Sequence, residues 1–484
     1  MANNGFDLFA AARQEMIDQG FDPDFPPEVG LQLAALKART ASRMDGDVLD
    51  LRSLLWSSID NDTSRDLDQA EAAERVSAGI RVLIAIADVD SDVPIGSPID
   101  KHAAAQTTSV YTGIRTFSML PEQLSTNLTS LNQDADRLAV VVDFVVAPDG
   151  SITSDNIYRA LVRNRAQLAY NGVGAWLEGS SAGPPKVAAS ADLAAQLKLQ
   201  DEAAQLLLGE RRRLGALTFD RVEAEAVISD GQVKGINTRQ KNRAGDLIEN
   251  FMVAANEAMA QTLRNAGVCS IQRVVKTPER WPRIVELAAG YGETLPAEPD
   301  SGALNAFLQK RKAADEAHYA DLSLAVIKLM GPGEYVVARP SAPPQGHFAL
   351  AAHDYTHSTA PNRRFADTVT QRLIKSVLAK QPQPYSDQQL DSIAQNCTLK
   401  EDAARKVERA MNKRIAAVAL QHRIGETFAA VVTGVTPKGV FVRVLGPPAE
   451  GLLIRGQQGV DVGDKLQVKL VSTDPRRGYI DSAR

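Results

Sequence analysis

The sequence predicts a multidomain α+β protein with a small helical N-terminal unit, a large central body and a C-terminal five-stranded OB-type barrel. Three observations support this fold class. Helical apolar stripes fill about the first 45 residues, and strand-like apolar runs alternate with long helical patterns in the middle. The last 60 or so residues are short β-branched runs separated by turns. A chain of 484 residues has room for about two to four domains.

The N-terminal unit is predicted to span residues 1–46. Apolar stripes cover Phe6–Asp18 and Glu28–Arg43, and the proline-rich stretch FDPDFPPEVG separates them. The size of this unit would allow a helix-turn-helix-like structure.

The central body is predicted to span residues 47–424. Its candidate strands include Ile80–Asp88 and Leu138–Val146, and its candidate long helix is Asp246–Ala266. A further helical pattern, Ser386–Arg423, closes this part of the chain.

The C-terminal barrel is predicted to span residues 425–484. Its five strands are Thr427–Val435, Val440–Leu445, Gly451–Ile454, Lys465–Ser472 and Tyr479–Asp481. Basic side chains interleave with two aromatic ones in this module: Lys438, Arg443, Arg455, Lys465 and Lys469, with Phe428 and Phe441. Such a surface suits single-stranded nucleic acid, although aromatic residues in a small barrel are equally explained as core.

Composition and charge narrow the class of protein. The start of the chain lacks the pattern of a signal or transit peptide, and the most apolar stretch, Val82–Ala87, is too short to cross a membrane. The two cysteines, Cys269 and Cys397, form no CxxC pair. Residues 401–484 carry 14 Lys and Arg against 9 Asp and Glu, whereas the first 400 carry 40 against 50. We therefore expect a cytoplasmic protein, a monomer without membrane contact, with an acidic body and a basic tail for a polyanion.

An aspartate cluster carries the strongest chemical signal. Asp60, Asp62, Asp66 and Asp68 occur within nine positions, so their charges repel one another unless water or cations surround them. A solvated loop without function is one interpretation. A magnesium site is another, because Mg²⁺ prefers carboxylate oxygens and completes its shell with water and phosphate oxygens.

The same loop also matches a calcium-binding EF-hand numerically. Acidic or hydroxyl residues fall on the ligand positions from Asp60 to Glu71. However, Arg65 stands where the sharp turn of the loop calls for glycine, and strand-like sequence follows. The EF-hand therefore remains the weakest of the alternatives.

The order of further motifs resembles the ribonuclease II (RNB) family. An Asp followed six residues later by D-x-D-D is the first motif of that family, and Asp60, Asp66 and Asp68 match it. Similar blocks follow in the family's order: IAIADVDSDVPIGSPIDKHA, SVYTGIRTFSMLPEQLS, LTFDRVEAE, LIENFMVAANEA and HFALAAHDYTHSTAPNRRFADTVTQRLI. The C-terminal strands fit the S1-like RNA-binding barrel with which the family usually ends.

The resemblance implies roles for individual residues. Asp60, Asp66 and Asp68 would bind Mg²⁺, with Mn²⁺ as the alternative ion, and would carry catalysis together with Arg363, which would grip the scissile phosphate. The implied RNA-binding residues are Tyr111, Glu249, Arg363 and Glu408, among which Tyr111 would stack near the 3′ end of the RNA. Arg364 is interpreted as an outward ion pair, and His353 and His357 as structural.

The function implied is processive 3′-to-5′ hydrolysis of single-stranded RNA to 5′-mononucleotides, in RNA turnover. Two departures qualify it. Gln69 stands where the family has a fourth acid, so an RNA-binding pseudoenzyme is the first alternative. The helical N-terminus stands where bacterial members usually have two cold-shock-type barrels, which leaves the selection of RNA open.

Overall fold

The structure is a computed structural model, and it describes residues 6–38, 47–220, 223–229, 232–239 and 241–484. In this part of the chain the predicted fold class is confirmed: helices lie at the N-terminus, a mixed sheet with helices forms the body, and a closed barrel ends the chain. The helices are α1 (Leu8–Asp18), α2 (Pro27–Ala38), α3 (Pro98–Gln106), α4 (Tyr170–Leu177), α5 (Pro185–Ala188), α6 (Ala191–Arg213), α7 (Arg243–Asn265), α8 (Trp281–Gly290), α9 (Ser301–Ala314), α10 (Glu316–Met330), α11 (Phe365–Leu378) and α12 (Asp387–Leu420).

The strands of the body belong to one main sheet and three two-stranded pairs within the described ranges. They are β1 (Leu49–Asp50), β2 (Trp56–Asp60), β3 (Gln69–Val76), β4 (Gly79–Ala87), β5 (Val110–Tyr111), β6 (Thr116–Phe117), β7 (Asp136–Val146), β8 (Ile152–Ala169), β9 (Glu223–Ser229), β10 (Gln232–Arg239), β11 (Ser270–Val274) and β12 (Glu334–Ala338). The main sheet has the order β1-β8-β2-β3-β4-β7, and β7 also pairs with β8, so that the pairings close into a ring.

Sequence pattern explains why this ring forms the core. Every residue of Val82–Ala87 is buried in β4, as expected for a central strand covered on both faces. Helix α7 is amphipathic, and its apolar residues, among them Leu247, Phe251 and Met259, join the same core. The junction between β2 and β3 lies at one end of this ring, and it carries the aspartate cluster.

The N-terminal helices dock onto the rest of the protein in two different places. Helix α1 buries Leu8, Ala12 and Met16 in a cluster with residues of α12, whereas α2 buries Val29 and Leu36 in the main core. The part of the predicted second helix after residue 38 lies outside the described residues.

The C-terminal barrel contains β13 (Thr427–Thr436), β14 (Gly439–Leu445), β15 (Pro448–Arg455), β16 (Lys465–Asp474) and β17 (Tyr479–Ala483), closed in the order β13-β14-β15-β17-β16. Alternate residues of β14 and β16 point inward, as the period of two requires. Phe428 is buried in the barrel core beneath the guanidinium of Arg423, so it is not the exposed stacking residue considered above. No helix among the described residues has the length and apolarity needed to span a membrane.

Candidate active site

A cavity of about 1820 Å³ collects the residues to which the family resemblance assigned catalysis, metal binding or RNA binding. Its lining includes Asp60, Asp66, Asp68, Tyr111, Glu249, Arg363 and Glu408. These residues come from the β2–β3 junction, β5, α7, the segment before α11, and α12. Residues separated by more than 340 positions in sequence therefore share one wall.

The β2–β3 junction positions the aspartates. Asp60 ends β2, and its Oδ1 accepts hydrogen bonds from the hydroxyl of Ser64 at 2.8 Å and the backbone N–H of Asn61 at 2.7 Å. Asp68 directly precedes β3 and is 3% exposed, and its carbonyl accepts the N–H of Ala87 at 2.9 Å. The chain between them is fixed by Ser130, whose hydroxyl donates to the carbonyl of Arg65.

The segment before α11 faces this junction. The backbone N–H of Asn362 donates to Oδ1 of Asp68 at 2.9 Å, and Nε of Arg363 lies 3.8 Å from Oδ2 of the same carboxylate. Asp367 holds the segment in place, because its Oδ1 accepts the N–H of Ala360 at 2.8 Å. Arg363 itself stays about half exposed to the cavity, so its guanidinium can meet a phosphate.

Burial and neighbouring negative charges both raise the pKa values of aspartates at this site. Burial raises the pKa of Asp68 to about 8, while Arg363 opposes the rise and Asp66 adds to it. Burial likewise raises the pKa of Asp66, and the nearby charge of Asp60 contributes to the rise. A cation bound beside these groups would favour their charged forms and lower both pKa values.

The aspartates suit a hard divalent cation by chemistry, but they are not gathered around a single point. Among the described residues, no group of three or more His, Cys, Asp or Glu side chains lies close enough together to hold one metal ion. Mg²⁺ commonly takes one or two carboxylates and keeps several waters or phosphate oxygens. The donors therefore fit Mg²⁺ held by one or two aspartates at a time, and the assignment of metal ligands stays a prediction.

Gln69 and Glu71 occupy alternate positions of β3. Gln69 lines the cavity, and its side-chain amide donates to the carbonyl of Ile59 at 3.2 Å. Glu71 is fully buried, and neither of its carboxylate oxygens has a hydrogen-bond partner in the described part of the chain. Sequence reasoning missed Glu71 as a buried group, because an acid in the stretch QAEAAE looks like part of an exposed face.

Tyr111 and Glu408 act as a pair. Tyr111 is 42% exposed and lines the cavity, and its backbone N–H donates to Oε1 of Glu408 at 3.3 Å. Burial raises the pKa of Glu408. Glu408 therefore holds the strand that carries the tyrosine, a role that its position on α12 did not reveal in the sequence.

Glu249 is exposed on α7 and faces the cavity, but it is not a free anion. Nζ of Lys241 lies 2.6 Å from Glu249 and 2.5 Å from Asp246. Lys241 also lines the cavity, and sequence reasoning did not single it out.

The other residues considered in the block HFALAAHDYTHSTAPNRRFADTVTQRLI lie in different environments. Arg364 pairs with Asp367 at 2.7 Å, but that partner is fully buried, so the pair points inward and not outward as predicted. Nδ1 of His357 lies 2.8 Å from the hydroxyl of Tyr335, and burial holds the pKa of this histidine well below its usual value. His353 is exposed and does not line the cavity.

The calcium-binding alternative fails on the fold of the aspartate loop. This loop joins two strands, whereas an EF-hand loop joins two helices, so the EF-hand alternative is wrong.

Comparison with protein families identifies the family of this chain. The RNB domain matches residues 48–380, about two thirds of the chain. The chain belongs to the RNB family. In this RNB protein, residues 426–484 also match the C-terminal S1 domain of RNase II-type exonucleases.

Curated relatives of this RNB protein carry the name ribonuclease R. Ribonuclease R 1 of Lactococcus lactis is 30% identical over 95% of this chain and 59% of the relative. Ribonuclease R of Escherichia coli is 29% identical over 87% of this chain and 52% of the relative. The RNB protein thus spans little more than half the length of these two relatives.

Solved structures extend the likeness to the whole described fold. Mycoplasma genitalium RNase R in complex with ribose-methylated single-stranded RNA has a TM-score of 0.87 and 25% identity, covering 99% of this RNB protein and 78% of that chain. Yeast Ssd1, described as a pseudonuclease, has a TM-score of 0.65 at 18% identity, covering 96% of this chain and 57% of that one, which is a likeness of fold alone.

Proposed function

We propose that this RNB protein is a processive 3′-to-5′ exoribonuclease that hydrolyses single-stranded RNA to 5′-mononucleotides with Mg²⁺ or Mn²⁺. The observation that carries the proposal is the cavity in which Asp60, Asp66, Asp68 and Arg363 meet in a member of the RNB family. The proposal includes a monomeric enzyme that acts in cytoplasmic RNA degradation, as predicted from the sequence.

The residues of this chain would divide the work. Asp60, Asp66 and Asp68 would supply the carboxylate ligands for divalent cations, with one or two of them at each ion, and such an ion would supply Lewis acidity and offset negative charge on the scissile phosphate. Arg363 would bind a phosphate oxygen through its exposed guanidinium and stabilise charge that develops in the transition state. The N–H of Asn362 would keep the Asp68 carboxylate in one orientation while the cation and the phosphate bind.

The RNA would be held by other parts of the cavity wall. The exposed ring of Tyr111 offers a face on which a base near the 3′ end can stack, and Glu408 fixes the backbone of that tyrosine. Lys241 pairs with both Glu249 and Asp246 and offsets one of their two negative charges, which reduces their repulsion of the phosphates of the strand.

The experiment compares wild type, Asp68→Asn and Asp62→Asn on labelled single-stranded RNA, with Mg²⁺ and with a chelator. We expect metal-dependent release of mononucleotides by wild type, and a loss on the order of 100-fold in Asp68→Asn with RNA affinity nearly unchanged. Asp62 is exposed and does not line the cavity, so Asp62→Asn is the matched control and should stay active. Near-normal hydrolysis by Asp68→Asn would refute the metal assignment.

An RNA-binding pseudoenzyme is the second candidate, because Gln69 replaces the fourth family acid and its amide is engaged with the carbonyl of Ile59. The same experiment separates it from the first. A wild type that binds RNA but releases no mononucleotide at any Mg²⁺ or Mn²⁺ concentration would establish the pseudoenzyme.

A further inference from the structure

The wall of the cavity includes a segment of the N-terminal unit that carries none of the residues proposed for catalysis. We call residues 19–26, between α1 and α2, the N-terminal bridge. Asp22, Pro23, Asp24 and Phe25 of this bridge line the cavity. The N-terminal unit therefore contributes to the same space as the aspartates, although the sequence predicts it as a separate unit.

The bridge is firmly anchored. Phe21 is 4% exposed and packs with Val407 and Met411 of α12, while Nζ of Lys400 lies 4.6 Å from the centre of its ring. The backbone N–H of Asp22 donates to the side chain of Gln106 on α3 at 3.2 Å. These interactions hold the bridge in a defined position against the cavity.

Phe25 is the part of the bridge that stays open. This residue is 38% exposed, and its ring lies 4.4 Å from the ring of His102, tilted by 42°. His102 is 7% exposed, so one side of the Phe25 ring packs against a buried side chain. The rest of the phenyl ring faces the cavity. A large apolar ring on a polar wall is uncovered surface that a nucleobase can cover by stacking.

A short stretch of chain links His102 to Tyr111. Helix α3 carries His102 and Gln106, and Thr108 and Tyr111 continue along the same cavity. Four helical steps of about 1.5 Å and five extended steps of at most about 3.6 Å place the Cα atom of His102 within roughly 25 Å of the Cα atom of Tyr111. The ring of Phe25 lies 4.4 Å from the ring of His102. A span of up to this length can hold several nucleotides.

We propose that Phe25, seated on His102, is a base-stacking subsite for single-stranded RNA on the 5′ side of the nucleotide at Tyr111. The inference rests on the proposed function. If the 3′ end lies at the aspartates, any other nucleotide in the cavity lies toward the 5′ end. The bridge then supplies an RNA contact in a chain whose N-terminus is helical.

The test is a scan with abasic RNA. Oligonucleotides with one abasic site, moved stepwise from the 3′ end, are bound to Asp68→Asn protein in chelator, with Phe25 intact or replaced by Ala. With Phe25 intact, one upstream position should be sensitive to base removal, in addition to positions near the 3′ end. Stacking predicts a roughly 5- to 100-fold loss of affinity there. In Phe25→Ala that upstream sensitivity should disappear, while the sensitivity near the 3′ end remains.

Two further variants keep the proposal falsifiable. Phe25→Trp keeps an aromatic face and should keep the upstream sensitivity. Phe9→Ala removes another exposed phenylalanine, 46% exposed on α1 and outside the cavity lining, and should bind like the protein that it was made from. The proposal is overturned if Phe25→Ala gives the same scan as its parent. It is also overturned if Phe25→Ala lowers the affinity for very short RNAs as much as the affinity for long ones. A wild type without any RNA affinity would overturn the proposed function as well.

Discussion

At the scale of single residues, Asp68 shows how burial and neighbouring groups act on one carboxylate of the site. Asp68 is buried, accepts one backbone N–H from Asn362 and lies 3.8 Å from the guanidinium of Arg363. These interactions do not outweigh burial, since the pKa of Asp68 is still raised to about 8. A carboxylate in this state gains much from a cation. A cation bound beside Asp68 would therefore favour the charged form of this carboxylate.

Glu71 supports a prediction on stability and pH. Burial first, and then the charge of Asp60, raises its pKa well above the usual 4.5, so the folded protein keeps a proton that the unfolded chain loses. Stability should then fall as pH rises above about 4.5, at up to about 1.4 kcal/mol per pH unit for this one group, until the folded-state pKa is passed. Glu71→Gln should remove that slope. The free energy of unfolding of the variant should therefore increase relative to that of wild type as pH rises.

Urea unfolding over a range of pH, in chelator, measures this difference. Glu74→Gln is the matched control, because Glu74 lies on the same strand with its side chain 52% exposed beside Arg81. A difference between Glu71→Gln and wild type that stays constant over pH would show that Glu71 does not bind the extra proton.

At the scale of elements, the sequence predicted helices and strands whose buried residues recur at a regular period. It did not predict contacts between segments that are far apart in the sequence. The strands of the barrel, α7 and β4 were predictable because their buried residues recur at the period of a helix or strand, or fill a short apolar run. The aspartate loop was found through its motif. The approach of Asn362 to Asp68 was not, because a backbone N–H leaves no trace in a sequence pattern. The bridge carrying Phe25 likewise looks in the sequence like a simple linker between two helices.

The barrel supports a prediction at this scale. Lys465 and Lys469 lie four residues apart on β16, both exposed, whereas Leu466, Val468 and Leu470 face the core. Replacing both lysines by Gln should weaken binding of single-stranded RNA. It should also flatten the slope of log affinity against log salt, by about 0.7 for each phosphate that the barrel no longer neutralises.

The control for this pair of lysines carries the same change of charge on the body. Lys198 on α6 and Lys328 on α10 are exposed and do not line the cavity, so their replacement by Gln should leave the salt slope unchanged. An equal effect of both double variants would mean that net charge, and not the face of β16, governs binding.

At the scale of the whole molecule, the cavity is a joint product of the N-terminal bridge, the β2–β3 junction, α7, the segment before α11, and α12. Helix α12 connects these parts, because it carries Glu408 beside Tyr111, packs against α1 and ends in the barrel core through Ala417 and Leu420. A strand of RNA that fills the cavity would therefore touch several segments that are far apart in the sequence. Binding should stabilise these segments together.

Hydrogen exchange can test that coupling. Helix α1 rests on a small cluster of its own with α12, so its local opening should require less free energy than global unfolding. Single-stranded RNA at 100 times its Kd, bound to Asp68→Asn protein in chelator, adds about 2.7 kcal/mol to any opening that abolishes binding. We expect amide exchange in α1 to slow on binding, while exchange in α9 and α10, which belong to a separate cluster, changes little.

Slowed exchange that is confined to the segments around Tyr111 and Asp68 would mean that the RNA does not reach the bridge. Phe25→Ala should reduce the slowing in α1 without reducing it around Asp68, because the bridge is the part of the cavity wall directly continuous with α1.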